Sequence, residues 1–394
     1  MKLVLETKRF LLIIYFLFFF LIAFSYIQSD FAVYYGNLVA IGIGRLFLCF
    51  DILLVLYLLI TYKSVLPQCS IAVFLLVGYQ IITMLFTDGI DVFALSIRYI
   101  AWALLFVSIY RISLSFKNKI NYVLRIALLL TIILAIIISW NEINTWRLLN
   151  SFSSGINTVY WVELFLPLAL LIDKKPIKIF FICLIGIATL LSLKVTAVFS
   201  FVVPLLIGFS FDLRKKRGKI NSGIVVAIVA VTIGYLMFSY FEQFFTSFLG
   251  FNWIMKFTAS YDSGGSGRLD IWKNVLELLS TSNVLNIIFG HGHEAVRNNT
   301  ISHLSAHNDF LEVLYDYGII GFSLYLLVYY KLISLIRKCM SKDNKIVMVL
   351  VVSVSQFFIM SMFSHLIIYP RLLLTIAITW GICFAYKESY IEEP

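Results

Sequence analysis

The chain has 394 residues, of which 61% are hydrophobic and 13% are charged, and its mean hydropathy is +0.96. These values exclude a soluble globular enzyme and indicate an integral membrane protein. The net charge of +10 is concentrated in alternate loops, which is a topology signal and argues against nucleic acid as a partner.

Apolar runs of about 20 residues, the length that crosses a bilayer as helix, recur along the whole chain. We therefore predict an all-α polytopic membrane protein with about twelve transmembrane helices. The predicted spans are roughly 10–27, 38–62, 70–86, 93–112, 121–140, 157–172, 177–193, 195–211, 220–240, 315–336, 346–368 and 371–386. The pair 177–193 and 195–211 is close enough to be one broken helix. Lysine and arginine predict that both termini face the cytoplasm.

The spans define three regions. Residues 1–240 carry the N-terminal transmembrane helices, residues 241–314 form one large hydrophilic loop on the outer face, and residues 315–394 carry the C-terminal helices. Aromatic and charged residues mix in the loop, which favours order. We expect short helices there at about 268–280 and from near His307. A shorter outward segment, 141–156, brings Arg147 to the same face.

The stretch GSGRLDIW, residues 265–272, predicts an anion site. Its glycines precede a helix whose first turn carries Arg268, and both a guanidinium fork and a helix N-terminus favour phosphate groups. Lys194 lies at an outward turn between two spans, where it can reach lipid phosphates or a bound diphosphate. The alternatives are a solvated arginine after a turn and a lysine that reaches the interface from the membrane.

The stretch HNDFLEVLYDYGIIG, residues 307–321, begins where the loop re-enters the membrane. Read as a helix from its first residue, it aligns His307 with Leu311 on one stripe. A neutral imidazole with a pKa near 6.5 could take a proton from a sugar hydroxyl, and Asn308 or Glu312 could orient it or the acceptor. The alternative is an interfacial histidine that caps the helix.

The histidines of the loop also raise a metal hypothesis. His291, His293, His303 and His307 lie near Glu294, but their spacing fits no zinc motif, so we expect no metal and interpret His291 and His293 as surface residues.

Part of the sequence resembles a known protein family. Four stretches carry the resemblance: 265–268 followed by Trp272, IIFGHG at 287–292, AHNDFLEVLYDYGIIG at 306–321, and the small-residue context of 192–197. They resemble the bacterial O-antigen polymerase and O-antigen ligase superfamily of inner-membrane proteins, in which many spans surround one long periplasmic loop. The similarity covers roughly residues 150–340.

The resemblance implies sugar transfer from an undecaprenyl-diphosphate-linked glycan, without nucleotide sugar, metal or other cofactor. By this analogy His307 is the base on the acceptor hydroxyl, while Arg268, Lys194 and Arg147 hold the diphosphate. Position 194 departs from the pattern, because relatives often have an arginine next to the serine. Direct displacement at the anomeric carbon would invert its configuration.

Three functions follow as expectations. The first is an O-antigen polymerase of lipopolysaccharide biosynthesis, with membrane lipids and a chain-length regulator protein as further partners. The second is an O-antigen ligase, which transfers the polymer to lipid A core. The third, of another class, is a polysaccharide flippase or transporter, which would carry a charged cavity at mid-membrane.

Overall fold

The computed structural model describes residues 69–87, 92–115, 158–192, 194–217, 268–340, 344–367 and 370–389, together with Arg125 and Leu129. These residues form helices and connecting turns without any strand, which confirms the predicted all-α class for this part of the chain. The predicted spans 10–27, 38–62 and 220–240, nearly all of 121–140, and Arg147 lie outside the described residues.

The helices take up most of the described sequence. In chain order they are α1 (Ser70–Leu85), α2 (Val92–Ser115), α3 (Thr158–Glu163), α4 (Leu166–Leu170), α5 (Lys175–Leu191), α6 (Val195–Arg217), α7 (Arg268–Ser280), α8 (Val284–Phe289), α9 (Ala295–Asn299), α10 (Asp309–Cys339), α11 (Asn344–Phe363) and α12 (Pro370–Ser389).

Two of the described helices are long and apolar enough to cross a bilayer, Asp309–Cys339 and Lys345–Phe363. Shorter apolar helices cover Ser70–Leu85, Val159–Leu170, Thr196–Phe211 and Leu372–Tyr386. All of them fall on predicted spans. The total of twelve transmembrane helices stays a prediction.

Small residues let the long helices pack closely. α12 packs along α2, where a Cβ added at Gly381 would lie 2.9 Å from the carbonyl oxygen of Phe106. α6 packs along α11, where a Cβ at Gly208 would lie 2.5 Å from a methyl group of Val352. Close backbone approach at small residues is how helices gain packing contacts in a membrane.

The predicted continuous span 157–172 is interrupted. α3 ends at Glu163, and α4 begins only at Leu166 with Pro167 in its first turn. Proline lacks an N–H and fits the first turn of a helix, so the sequence restarts the helix here.

The interruption places Glu163 in the interior. Its carboxylate accepts a 2.5 Å hydrogen bond from the Ser200 hydroxyl, and its backbone carbonyl accepts one from the side chain of Gln356 at 3.0 Å. Burying a charged side chain in an apolar bundle is costly unless it is hydrogen-bonded. Glu163 thus connects α3 with α6 and α11.

The re-entrant helix α10 differs from its predicted form in two respects. It begins at Asp309, so His307 precedes the helix and does not share the predicted stripe with Leu311. Gly318 has φ 63° and ψ −168°, which breaks the helix into a short upper segment, 309–317, and a long lower one. Only glycine adopts such a conformation without strain, because a Cβ would clash with the backbone.

Candidate active site

Four basic side chains lie together where the beginnings of α6, α7 and α10 meet the segment that follows α11. They are Lys194, Arg268, His307 and His365, and each is half-buried. The rings of His307 and His365 lie 4.3 Å apart between centroids. The charges of Arg268 and Lys194 act on both imidazoles. We call these four side chains the basic cluster.

Arg268 is the first residue of α7, as the sequence predicts. Its guanidinium points toward α6, with Nη1 3.5 Å from the hydroxyl of Thr196. Trp272, one turn further along α7, donates an indole hydrogen bond of 2.7 Å to the carbonyl of Ala306. Because Ala306 directly precedes His307, this bond ties α7 to the backbone that carries the imidazole.

Lys194 occupies the break between α5 and α6. Its backbone N–H donates to the Ser192 hydroxyl at 3.3 Å, which shapes the turn. Its ammonium lies 4.9 Å from the centroid of the Tyr160 ring, a distance at which a cation is attracted to an aromatic face. The lysine is therefore held at the basic cluster by contacts from α3 and from its own turn.

His307 has a left-handed backbone, with φ 50°. This conformation is rare for a residue with a side chain, although histidine and asparagine adopt it more often than most. It turns the chain directly before Asn308, whose side chain caps α10 by accepting hydrogen bonds from Phe310 N–H at 3.0 Å and Leu311 N–H at 3.2 Å. The cap fixes the beginning of the helix and hence the position of the imidazole.

The proton affinity of His307 is lower than the sequence predicts. Burial, followed by the positive charges of Arg268 and Lys194, lowers the pKa of His307 to about 4, from an ordinary value of 6.5. At neutral pH the ring is thus uncharged, the form that a general base needs. A bound diphosphate would bring negative charge beside the ring, and this charge would raise the pKa again.

These charges predict how the rate depends on pH. By the resemblance, His307 is the base of a transfer reaction, so we expect kcat/KM to fall as pH decreases through about 4, where His307 of the unbound protein becomes protonated. The decline in kcat should occur at higher pH, because the bound donor favours the imidazolium. Initial rates of glycan transfer measured from acid to neutral pH test this, with recovery of activity at pH 7 as the control for unfolding. The prediction would be contradicted if kcat declined at the same pH as kcat/KM or at a lower pH.

Asp309 contributes to the site in a way that the sequence does not predict. Its buried carboxylate accepts hydrogen bonds from the backbone N–H groups of Leu366 and Ile367 and from the Tyr325 hydroxyl, each at 3.2 Å. These bonds fasten the segment after α11 to the start of α10. They thereby bring His365 to His307.

Two glycines join the loop to the break in α10. A Cβ added at Gly290 would lie 2.2 Å from the carbonyl oxygen of Asp316, and one added at Gly318 would lie 2.4 Å from that of Ile288. Both glycines have positive φ, 93° and 63°. Backbone hydrogen bonds from His291 to Tyr315 (3.1 Å) and from Gly292 to Asp316 (3.0 Å) complete the joint. This explains why the sequence has a glycine pair in the loop opposite a glycine in the helix.

Replacing Gly318 by alanine is expected to destabilise the protein by about 2 kcal/mol or more, because the new methyl group meets backbone atoms and the conformation disfavours side chains. The matched control is Gly78→Ala in α1, where an added Cβ has no atom within 4 Å. Thermal unfolding followed by intrinsic fluorescence compares the two. Equal melting temperatures would contradict the backbone joint.

The histidines of the Gly-His-Gly-His turn have structural partners. His293 is buried, and its Nδ1 lies 2.5 Å from the Tyr317 hydroxyl. His291 contacts the Ser282 hydroxyl at 2.8 Å through Nε2. The prediction that both are surface residues is thus wrong for His293, and His291 is only partly exposed. Within the described residues, no three His, Cys, Asp or Glu side chains are grouped so that they could hold a metal ion.

The remaining predicted residues lie apart from the basic cluster or have other tasks. Asn308 is the helix cap. Glu312 is buried in the first turn of α10. Its carboxylate faces the backbone N–H of Ala306 but makes no hydrogen bond of normal geometry with any described residue. Arg147 lies outside the described residues. The functions assigned to all of these side chains stay predictions.

The comparison with known proteins agrees with the resemblance noted from the sequence. Residues 179–326 match the family model described as O-antigen ligase. This match, over fewer than half of the residues, supports the O-antigen ligase and polymerase superfamily that the sequence resembles. The match runs from α5 to the middle of α10 and includes Lys194, Arg268 and His307, while His365 follows its end. No curated protein matches the chain.

The family match supports, in general, a membrane-associated function of the O-antigen ligase and polymerase type, with glycosyltransferase-like activity in O-antigen and lipopolysaccharide biosynthesis. Polymerase and ligase are not distinguished by the family match.

Proposed function

We propose that this protein is an O-antigen polymerase that joins undecaprenyl-diphosphate-linked repeat units at the periplasmic face of the bacterial inner membrane. The observation that supports the proposal most strongly is the position of a neutral imidazole beside two cations in the basic cluster. A lipid-anchored donor presents its diphosphate at the interface, and the acceptor sugar arrives from the aqueous side.

In the proposed reaction, the growing glycan moves from one carrier lipid to the non-reducing end of a new lipid-linked unit. The acceptor hydroxyl attacks the anomeric carbon, its oxygen forms the new bond, and its proton passes to His307. The bond between the anomeric carbon and the diphosphate oxygen breaks, and the electron pair leaves with the diphosphate. Since attack and departure occur on opposite faces of the sugar, the configuration inverts.

The cations have a separate task in this scheme. Negative charge on the diphosphate increases as the glycosidic bond breaks, and Arg268 and Lys194 are placed to stabilise it. Arginine would bind two oxygens through its fork, whereas lysine acts as a point charge. Because the leaving group is already acidic, no strong general acid is required, and we propose that the reaction uses neither nucleotide sugar nor metal.

An O-antigen ligase is the second candidate, since the matched family model is described as O-antigen ligase. Both enzymes would use the same donor and the same basic cluster, and they differ in the acceptor. A transporter would have no need of an imidazole base at the donor diphosphate.

Reconstitution of the purified protein with a synthetic lipid-linked repeat unit tests the proposal. A ladder of longer lipid-linked products supports a polymerase, whereas transfer only to added lipid A core oligosaccharide indicates a ligase. In cells, deletion of a polymerase leaves one repeat unit per core, and deletion of a ligase leaves a bare core with polymer on the carrier lipid. Absence of any transfer, with intact protein, would contradict both.

A further inference from the structure

The proposed reaction assigns no role to His365. It lies in the short segment between α11 and α12, beyond the end of the family match at residue 326. Nevertheless its ring contacts that of His307, with centroids 4.3 Å apart and planes inclined by 35°.

The position of His365 is fixed from two sides. Its Nδ1 shares a hydrogen bond of 3.0 Å with the hydroxyl of Ser305, which lies two residues before His307. The next two residues, Leu366 and Ile367, donate backbone hydrogen bonds to the buried carboxylate of Asp309, two residues after His307. His365 is therefore held through one residue before His307 and through another residue after it.

The electrostatic surroundings keep His365 uncharged. The groups that act on it include His307, Lys194 and Arg268, and all three carry or can acquire positive charge. Burial and these three groups lower the pKa of His365 well below its ordinary value. When His307 becomes an imidazolium, the new charge disfavours protonation of His365 further. The second ring then remains a neutral aromatic ring beside a cation, which is an attractive arrangement.

We propose that His365 is a positioning residue of the transfer reaction, which orients the His307 ring toward the acceptor and, as a neutral partner, stabilises the imidazolium formed there. This inference rests on the proposed function, because it assigns a task to the ring only if His307 takes up the acceptor proton. Orienting groups of this kind strongly affect catalysis by histidine in other enzymes.

Three variants separate the contributions. His365→Gln keeps an amide for Ser305 and loses the ring, and we expect it to lower kcat by about 10- to 100-fold, with KM for the lipid-linked donor within about twofold. Ser305→Ala keeps the ring and removes its anchor, and a smaller loss in kcat is expected. The matched control is His303→Asn, an exposed histidine of the same loop with φ 50°, a conformation that asparagine tolerates. It should retain the unmodified rate.

A second measurement needs no substrate. Specific ¹⁵N labelling of the five histidines, with the His307 resonance assigned from a His307→Asn sample, follows the protonation of His307 in the full-length protein in bicelles. We expect His307 to protonate at lower pH in His365→Gln than in the unmodified protein, since the stabilising neighbour is lost. If His365 only buried His307, its loss would instead move this titration to higher pH, because burial is the first cause of the low pKa of His307.

The outcomes are distinguishable. If His365→Gln keeps full kcat, changes KM alone, leaves the His307 titration unchanged or moves it to higher pH, His365 is not a positioning residue. The proposed function is then unaffected, provided that His307→Asn is inactive. If His307→Asn is as active as the unmodified protein, the proposed base is wrong, and the inference fails with it. Loss of kcat together with the shifted titration supports the inference.

Discussion

Replacing His307 by asparagine is expected to lower the rate of glycan transfer by about 10²- to 10⁴-fold, the contribution of a positioned general base. Asparagine suits the test because it tolerates the left-handed backbone that residue 307 adopts. The variant should therefore fold and insert while lacking a proton acceptor. The measurement is the initial rate of polymer formation by the purified protein in vesicles.

The fold can be checked separately from the chemistry in this variant. Its melting temperature should agree with that of the unmodified protein, and its KM for the lipid-linked donor should change little, because the diphosphate is bound by other groups in the scheme. Full polymer length at an undiminished rate would remove His307 from the reaction. A variant that melts early would call for His307→Gly, which also tolerates the backbone conformation.

Replacing Arg268 by glutamine is expected to weaken the enzyme by about 100-fold in kcat/KM, because a charged hydrogen bond to the diphosphate is lost. Arg268→Lys should recover part of that loss, since the charge remains and the two-pronged geometry does not. Both variants should be measured at several donor concentrations, so that effects on binding and on kcat are separated.

The matched control for Arg268 is Arg297→Gln. Arg297 lies in α9 of the same loop, its side chain is 62% exposed, and its ion pair with Glu294 is 3.9 Å long. Exposed ion pairs of this kind contribute little, so the control should be fully active. An equal loss in both variants would mean that overall charge, and not a specific site, matters for the donor.

Local sequence signals were sufficient for much of the helical structure. The α7 helix is found at 268–280 as predicted, because the glycines before Arg268 mark its beginning in the sequence itself. The α1 helix ends one residue before its predicted end. The interruption between Glu163 and Leu166 could have been inferred from Pro167, a residue that rarely continues an apolar helix. The break at Gly318 could likewise have been inferred from the glycine itself, which stands at the beginning of an apolar run.

Only part of the candidate site could be predicted from the sequence. Lys194, Arg268 and His307 stand out because a charge or an imidazole at the edge of an apolar run is unusual. His365 and Asp309 do not stand out, since their importance arises from contacts between segments 57 or more residues apart. Asp309 also follows the polar residues His307 and Asn308. The local sequence therefore does not show that its carboxylate stabilises the structure, whereas His307 is the proposed base.

The break at Gly318 has a consequence for how the enzyme tolerates its surroundings. The upper segment of α10 is attached to the loop by the glycine joint and to the segment after α11 by Asp309, whereas the lower segment packs among the spans. A membrane of different thickness changes the tilt of a spanning helix. Because the helix is interrupted at Gly318, we expect a change of tilt in the lower segment to displace the upper segment less than it would in a continuous helix. Transfer rates measured in bilayers of different thickness test this expectation.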